Sequence, residues 1–338
     1  MKKMNKTIAQ HILFTGAGFT KNFAGFLATE MWTKIFNHSE VQNYPYLREL
    51  LLDDFDYESI YYKVLSGNYS ADEKEAIQNA IFEAYQKLDA IACEYTPITE
   101  TSKASIHAGA KQLIDQFIRD INQINFFFTL NQDLFIERIF GDTKKPIMTL
   151  NMVKIFIPGS IDSRLPLSVN NFIKTPNQNM TTHEPASNLS HKELHYIKLH
   201  GSYGWKSSDG TNKMVIGQNK ESQIAEEPLL AYYFDLFKQT LAQKERKLLA
   251  IGYGFGDEHV NRVIAESIKN HGLEVYILSP TDPNRFITAL KEETYAHGKV
   301  ILSGLKGYFP YELAKKFPAD QSKTDAWEEI RNCYFGNH

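Results

Sequence analysis

The sequence predicts an α/β fold, a mostly parallel sheet with a helical insertion. Three observations predict it. Short apolar runs alternate with amphipathic helical stretches, as in βα units. Each of the clearest runs ends in a glycine or polar turn: Gly16 to Thr20, Asn131 to Asp133, His200-Gly201, Gly252 to Asp257 and Ser279 to Asp282. Residues 26–102 break the alternation with a helical stretch rich in Tyr, Leu, Glu and Asp.

Taken in order, Ile8 to Thr15 reads as the first strand, followed by the Gly16-Ala17-Gly18 turn and a helix start at Phe19-Thr20-Lys21. Within 26–102, Tyr57 to Leu65 and Asp72 to Cys93 are the clearest helices. In the second, Ile77, Ile81, Ala84, Leu88 and Ile91 recur every three or four residues, as one buried face requires. We expect this stretch to be a helical insertion or cap on a main domain formed by 1–25 and 103–338. Ser105 to Ile124 is a further amphipathic helix leading into the central strand, Asn125 to Leu130. That strand is a continuous apolar run rich in aromatics. Asn131-Gln132-Asp133 stops it, and Leu134, Phe135, Ile136 and Ile139 open a helix. Pro146 to Ile157 can add a strand.

Residues 158–194 are rich in Asn, Ser, Thr and Pro, which suits a long polar surface loop. Glu193 to Leu199 returns to strand. Lys247 to Ile251 is a strong strand, with a helix from Glu258 to about Asn270. Leu273 to Leu278 is another buried strand. From Phe286 the expectation is a helix, then a short strand at Val300-Ile301-Leu302.

The totals exclude several classes. At 338 residues there is room for one large domain or two average ones. Apolar residues make up 43%, enough for a substantial core. The net charge of −3 comes without a basic block, so nothing calls for nucleic acid or an anionic membrane. No run approaches the ~20 apolar residues of a membrane span, and the basic N-terminus lacks a signal-peptide core. The two cysteines, Cys93 and Cys333, cannot form a four-cysteine zinc ribbon. A reduced, cytoplasmic setting is expected.

In open parallel sheets, ligands bind beyond the carboxyl ends of the strands. Five such ends carrying polar or glycine signatures point to a dinucleotide site. Each has a plainer reading. Asn131 and Asp133 can turn the chain and cap a helix. Gly16-x-Gly18 can be a tight turn, or can let the backbone approach a phosphate. Asp257 reads as a helix N-cap in preference to a catalytic acid, and His259 as a first-turn residue or a ligand contact. Ser279 and Asp282 can bind an adenine ribose or simply form a turn. Tyr203-Gly204-Trp205 can line a pocket or fill core. The acidic strand end expected about 20 residues after the first glycine turn of a dehydrogenase is missing, its place taken by the insertion. No G-x-x-x-x-G-K-[ST] occurs either.

The set Gly16-Ala17-Gly18, Thr129-x-Asn131-x-Asp133, Leu199-His200-Gly201 and the turn at Gly252 resembles the sirtuin superfamily. The resemblance implies a Rossmann-like sheet binding NAD+, with Gly16, Ala17 and Gly18 over the phosphates. It places Asn131 and Asp133 at the nicotinamide ribose, and His200 as catalytic base. Thr20, Gly252, Gly254 and Ser279 are expected to complete the cofactor-binding set, and no metal is expected. The chain departs from the protein deacylases of that superfamily. It lacks their four zinc cysteines, and Lys21-Asn22-Phe23-Ala24-Gly25-Phe26 stands where they carry Pro-Asp-Phe-Arg. Its late turn, Gly252-Tyr253-Gly254-Phe255-Gly256-Asp257-Glu258-His259, looks like that of bacterial sirtuin-like effectors of anti-phage defence. This branch implies hydrolysis of NAD+ to nicotinamide and ADP-ribose, in a homo-oligomer or beside a partner such as a HerA-type ATPase or a short Argonaute.

Cleaving the nicotinamide–ribose bond passes through an oxocarbenium-like state. Nicotinamide leaves neutral, so no acid is needed. A base is needed, and His200, with an ordinary pKa near ~6.5, can supply it. Asn131 can place water or a ribose hydroxyl, and Asp133 can hold the carboxamide or steady the developing cation. The expected function is therefore an NAD+ glycohydrolase that depletes NAD+. The alternatives are a binding module that senses NAD+ or ADP-ribose without turnover, and a protein deacylase or ADP-ribosyltransferase.

Overall fold

The computed structural model describes residues 7–22, 25–94, 113–114, 116–117, 123–137, 154–157, 186, 193–206, 212–312 and 324–336. Ten strands fall in this set: β1 Thr7–Ile8, β2 His11–Thr15, β3 Gln123–Thr129, β4 Lys154–Phe156, β5 Glu193–Lys198, β6 Gly201–Lys206, β7 Asn212–Met214, β8 Lys247–Ile251, β9 Glu274–Leu278 and β10 Leu305–Phe309. Eight build one parallel sheet in the order β10-β9-β8-β2-β3-β5-β4, with β1 alongside β3. The stretch β5-β3-β2-β8-β9-β10 has the 3-2-1-4-5-6 order of dinucleotide-binding sheets, which reverses between β2 and β8.

Register levels the strand ends. Thr15 pairs with Thr129 and with Ile251; Thr129 pairs with Lys198, and Ile251 with Leu278. The ladder runs one residue further: Gly16 N–H donates to Ile251 O, Leu199 N–H to Thr129 O, and Gly252 N–H to Leu278 O. Loops far apart in sequence therefore leave the sheet at one height.

Both faces of the sheet are covered, which is why its strands read as continuous apolar runs. Phe14 and Phe128 pack on Phe237 of the helix Pro228–Leu241, with ring centroids 5.7 and 5.0 Å apart. Residues 28–94 form a separate helical layer whose own cluster includes Ile35, Leu51, Ile60, Ile77, Ile81 and Leu88. The helix Ala71–Glu94 buries Ile77, Ile81, Ala84 and Leu88, while Ile91 is half-buried.

Several expectations shift. The first strand is two: the break falls at Ala9-Gln10, where the Gln10 carbonyl accepts from Lys247 N–H at 2.8 Å. Ile124 belongs to β3, not to the preceding helix. Val300-Ile301-Leu302 lies in the helix Gly298–Gly304, and the strand follows at Leu305. There the buried residues are Gly298, Ile301 and Gly304, a spacing of three that a strand cannot produce. The β-branched pair hid that period. The hairpin β6–β7 had no expectation at all; Trp205 is core, and Tyr203 stacks on Tyr85 with centroids 6.1 Å apart. Most of 105–122, all of 146–153, Ile139, and 158–192 apart from Ala186 lie outside the described residues.

Candidate functional site

The leveled strand ends open into a cleft of about 570 Å³ at the point where strand order reverses. That volume suits a ligand of nucleotide size. Gly16, Ala17, Gly18, Asn131, Asp133, His200, Gly252, Gly254 and Ser279 all line it. Thr20 is absent from the lining and stands behind it, buried.

Asn131 is placed by the sheet. Thr15 Oγ1 donates to Thr129 Oγ1 at 2.8 Å, and Thr129 Oγ1 accepts from Asn131 N–H at 3.0 Å. The Asn131 amide then donates to Thr20 Oγ1 at 2.7 Å, and Thr20 Oγ1 donates to Asp133 Oδ2 at 2.9 Å. Asp133 Oδ1 accepts from Phe135 N–H at 3.0 Å, the turn-forming contact an aspartate makes two residues ahead. Asp133 therefore turns the chain and also lines the cleft.

Under this loop lies a fully buried ion pair. Lys198 Nζ donates to Glu137 Oε1 at 2.8 Å and also to the Asp133 carbonyl. Burial raises Glu137, and the Lys198 ammonium opposes that rise. Gln132 points the other way. It accepts from Tyr85 Oη of the helical layer and donates to the Val215 carbonyl at 2.8 Å.

The glycines divide into two kinds. Gly16, Gly18 and Gly252 press backbone on backbone. Gly18 N–H donates to Gly252 O at 2.9 Å, and Gly252 has φ +62°, where a Cβ would lie 2.2 Å from Phe19 N. Their small size is already required by the protein. A Cβ on Gly254 would meet nothing within 4 Å, so that position opens on the cleft. Between Gly254 and Gly256, Phe255 holds φ +56°, rare for a bulky residue. Asn261 supports it, donating to the Phe255 carbonyl and accepting from Tyr253 Oη, each at 2.8 Å.

His200 sits at the cleft wall, buried, with Nε2 2.9 Å from Nε2 of His259. Burial pushes His200 down to about 3, with Asp257 opposing and Lys220 and His259 assisting. Burial likewise lowers His259. Both rings are therefore neutral at pH 7. Asp257 occupies the N-cap of the helix Glu258–His271, yet its carboxylate makes no capping bond. It accepts from Lys220 at 2.9 Å, and Lys220 also reaches Glu58 at 2.9 Å. Burial alone would raise Asp257, but attraction to His200 and Lys220 holds it below the usual carboxylate range. With His200 neutral, Lys220 is the permanent charge behind that shift. His200, Asp257 and His259 also place one ligand atom each within 4.8 Å of one another, close enough to hold a cation.

Ser279 Oγ donates to Thr281 Oγ1 at 3.1 Å, and Asp282 caps the helix Pro283–Lys291 through Arg285 N–H. Sequence reasoning missed Gln132, Lys220, Glu58 and Asn261. Asn261 left a trace, being polar on the apolar face of Val260 and Ile264. Lys220 and Glu58 left none, because their meeting is tertiary.

No helix among the described residues is long and apolar enough to cross a membrane. None of the curated proteins matches the chain. The SIR2-like domain model matches residues 125–301, just over half of the sequence, from β3 through the glycine turn at Gly252 and beyond. That family is one of NAD-utilising enzymes. The parallel sheet, its switch-point cleft and this match agree: the chain belongs to the SIR2-like domain family.

Proposed function

We propose that the chain is an NAD+ glycohydrolase releasing nicotinamide and ADP-ribose. One observation carries the reading: Asn131, Asp133 and His200, drawn from two adjacent strand ends, face one cleft with Gly254 and Ser279 in a SIR2-like chain. Phe26 and Leu27, with Met31, Tyr57, Tyr85 and Leu88 of the helical layer, make one side of the lining largely apolar, and Glu58 of that layer, paired with Lys220, is its charged member. An apolar cover of this kind limits bulk water and strengthens electrostatic contacts inside.

In this reading the dinucleotide lies across the switch point, with its phosphates near Gly16 to Gly18 and Gly254 and its adenine ribose near Ser279. The nicotinamide ribose lies near Asn131 and Asp133. Asn131, pinned by Thr20, orients water or a ribose hydroxyl. Asp133, held by Thr20, steadies the positive charge that builds on the ribose. His200, neutral at pH 7, takes the proton from the attacking water. Without an acyl-lysine in the pocket, water is the natural acceptor, and the chain's two cysteines, too few for the zinc module of the deacylases, count against deacylation.

The likeness of the Gly252 to His259 turn to bacterial anti-phage effectors supports a setting in which NAD+ depletion halts an infected cell. It also supports a homo-oligomer or a partner such as a HerA-type ATPase or a short Argonaute. The test is product analysis after incubation with NAD+. Nicotinamide and ADP-ribose in equal amounts support hydrolysis. Tight binding with NAD+ intact favours the sensing module, and deacylation of an acyl-lysine peptide favours the deacylase.

A further inference from the structure

The His200–His259 contact has no part in the reading above. Both rings are buried, and their planes lie 25° apart with centroids at 5.1 Å. At 2.9 Å between Nε2 atoms, one nitrogen donates and the other accepts. Two facing protons would collide and two lone pairs would repel, so the pair holds a single proton between its Nε2 atoms. His200 lines the cleft, whereas His259 is not among the lining residues. His259 comes from the helix Glu258–His271 and packs against Phe234, with ring centroids 5.5 Å apart. It can therefore fix His200 without touching a ligand.

We propose that His259 is a positioning residue that accepts the Nε2 proton of His200, leaving Nδ1 of His200 as the basic nitrogen for the cleft. Among the described residues, His200 Nδ1 has no hydrogen bond. The chemical consequence rests on the glycohydrolase reading; the tautomer does not. In the hydrolytic step, water gives a proton to His200 Nδ1 while its oxygen bonds to C1′ of the nicotinamide ribose. The C1′–N bond breaks and its electron pair leaves with neutral nicotinamide. The new imidazolium donates through Nε2–H to His259, and the proton later passes to solvent. A ring as strongly desolvated as His200 is a weak base alone. An acceptor behind it strengthens it, as the third member of a catalytic triad does. The charged groups acting on this pair are Asp257 and Lys220 on His200, and Asp257, Lys220, Glu221 and Arg262 on His259.

The test combines ring-nitrogen NMR with kinetics on the full chain. With histidines labelled with nitrogen-15, wild type should show His200 as the Nε2–H tautomer at pH 7, assigned by its loss in His200→Ala. His259→Phe, which fills the space without an acceptor, should lower kcat for nicotinamide release on the order of 10²-fold, with KM within about twofold. His259→Gln, whose carbonyl can accept, should restore most of that loss. A wild-type His200 in the Nδ1–H form overturns the assignment, as does an unchanged kcat in His259→Phe. If wild type releases no nicotinamide, the glycohydrolase reading fails, and the tautomer still decides the role of His259.

Discussion

Gly18 and Gly252 meet backbone to backbone: the Gly18 N–H donates to the Gly252 carbonyl at 2.9 Å, and a Cβ on Gly18 would lie 2.7 Å from the Gly252 Cα. The glycine turn after β2 is thus locked to the turn after β8, across the line where strand order reverses. Glycine here serves the join as much as any ligand. Gly252→Ala should destabilise the fold by about 2–4 kcal/mol, from overpacking and the left-handed conformation. Gly254→Ala should leave stability within about 0.5 kcal/mol, because the added methyl meets only the cleft. Chemical denaturation of both variants checks the contrast. Equal losses would contradict it.

Thr20 links Asn131 to Asp133 through one hydroxyl, 2.7 Å from one and 2.9 Å from the other. Thr20→Val keeps the shape and removes both bonds. We expect a stability loss of about 1–3 kcal/mol and a fall in kcat larger than any rise in KM. Thr20→Ser should recover both. A Thr20→Val variant of wild-type stability and turnover would detach Thr20 from the site.

Lys198 and Glu137 are each completely buried and pair at 2.8 Å. Removing only one charge strands the other. Lys198→Met should cost about 3–5 kcal/mol, and Lys198→Met with Glu137→Leu should recover much of that. The single variant should also loosen the Asn131–Asp133 loop, since Lys198 holds the Asp133 carbonyl. A double-mutant cycle with no coupling would show the pair to be independent.

Stability should depend on pH through His200. Burial pushes its folded-state pKa down to about 3, against 6.5 for an ordinary histidine. Between these values the unfolded chain binds the extra proton. The stabilisation is therefore complete above about pH 6.5 and is lost as pH falls toward 3. His11, pushed down to about 4 chiefly by burial, acts in the same direction. Unfolding free energies measured from pH 7.5 to 4.5 should fall, and His200→Asn should flatten the slope. A slope unchanged in His200→Asn would contradict the assignment.

Much of the sheet was legible because a strand buried on both faces writes itself as an unbroken apolar run. Asn125 to Leu130 and Lys247 to Ile251 are examples. The residues of the cleft were legible for a related reason: each follows such a run, so its position at the sheet edge is set locally. What stayed hidden depends on contacts between distant segments. Nothing near Lys220 says that it bridges Glu58 and Asp257, and nothing near Asp257 says that its carboxylate serves that bridge instead of its own helix. Val300-Ile301 misled because β-branched residues favour strands in isolation, while Gly298 and Gly304 allow a helix to pack where Ile301 is buried.

The most direct test of the central claim is nicotinamide release from NAD+ by the purified chain, beside His200→Ala and Asn131→Ala, with the melting temperature of each recorded. The account predicts release of nicotinamide with ADP-ribose by wild type. It predicts a loss on the order of 10²-fold or more in both variants, with the fold retained. Release undiminished in folded His200→Ala and Asn131→Ala would contradict it.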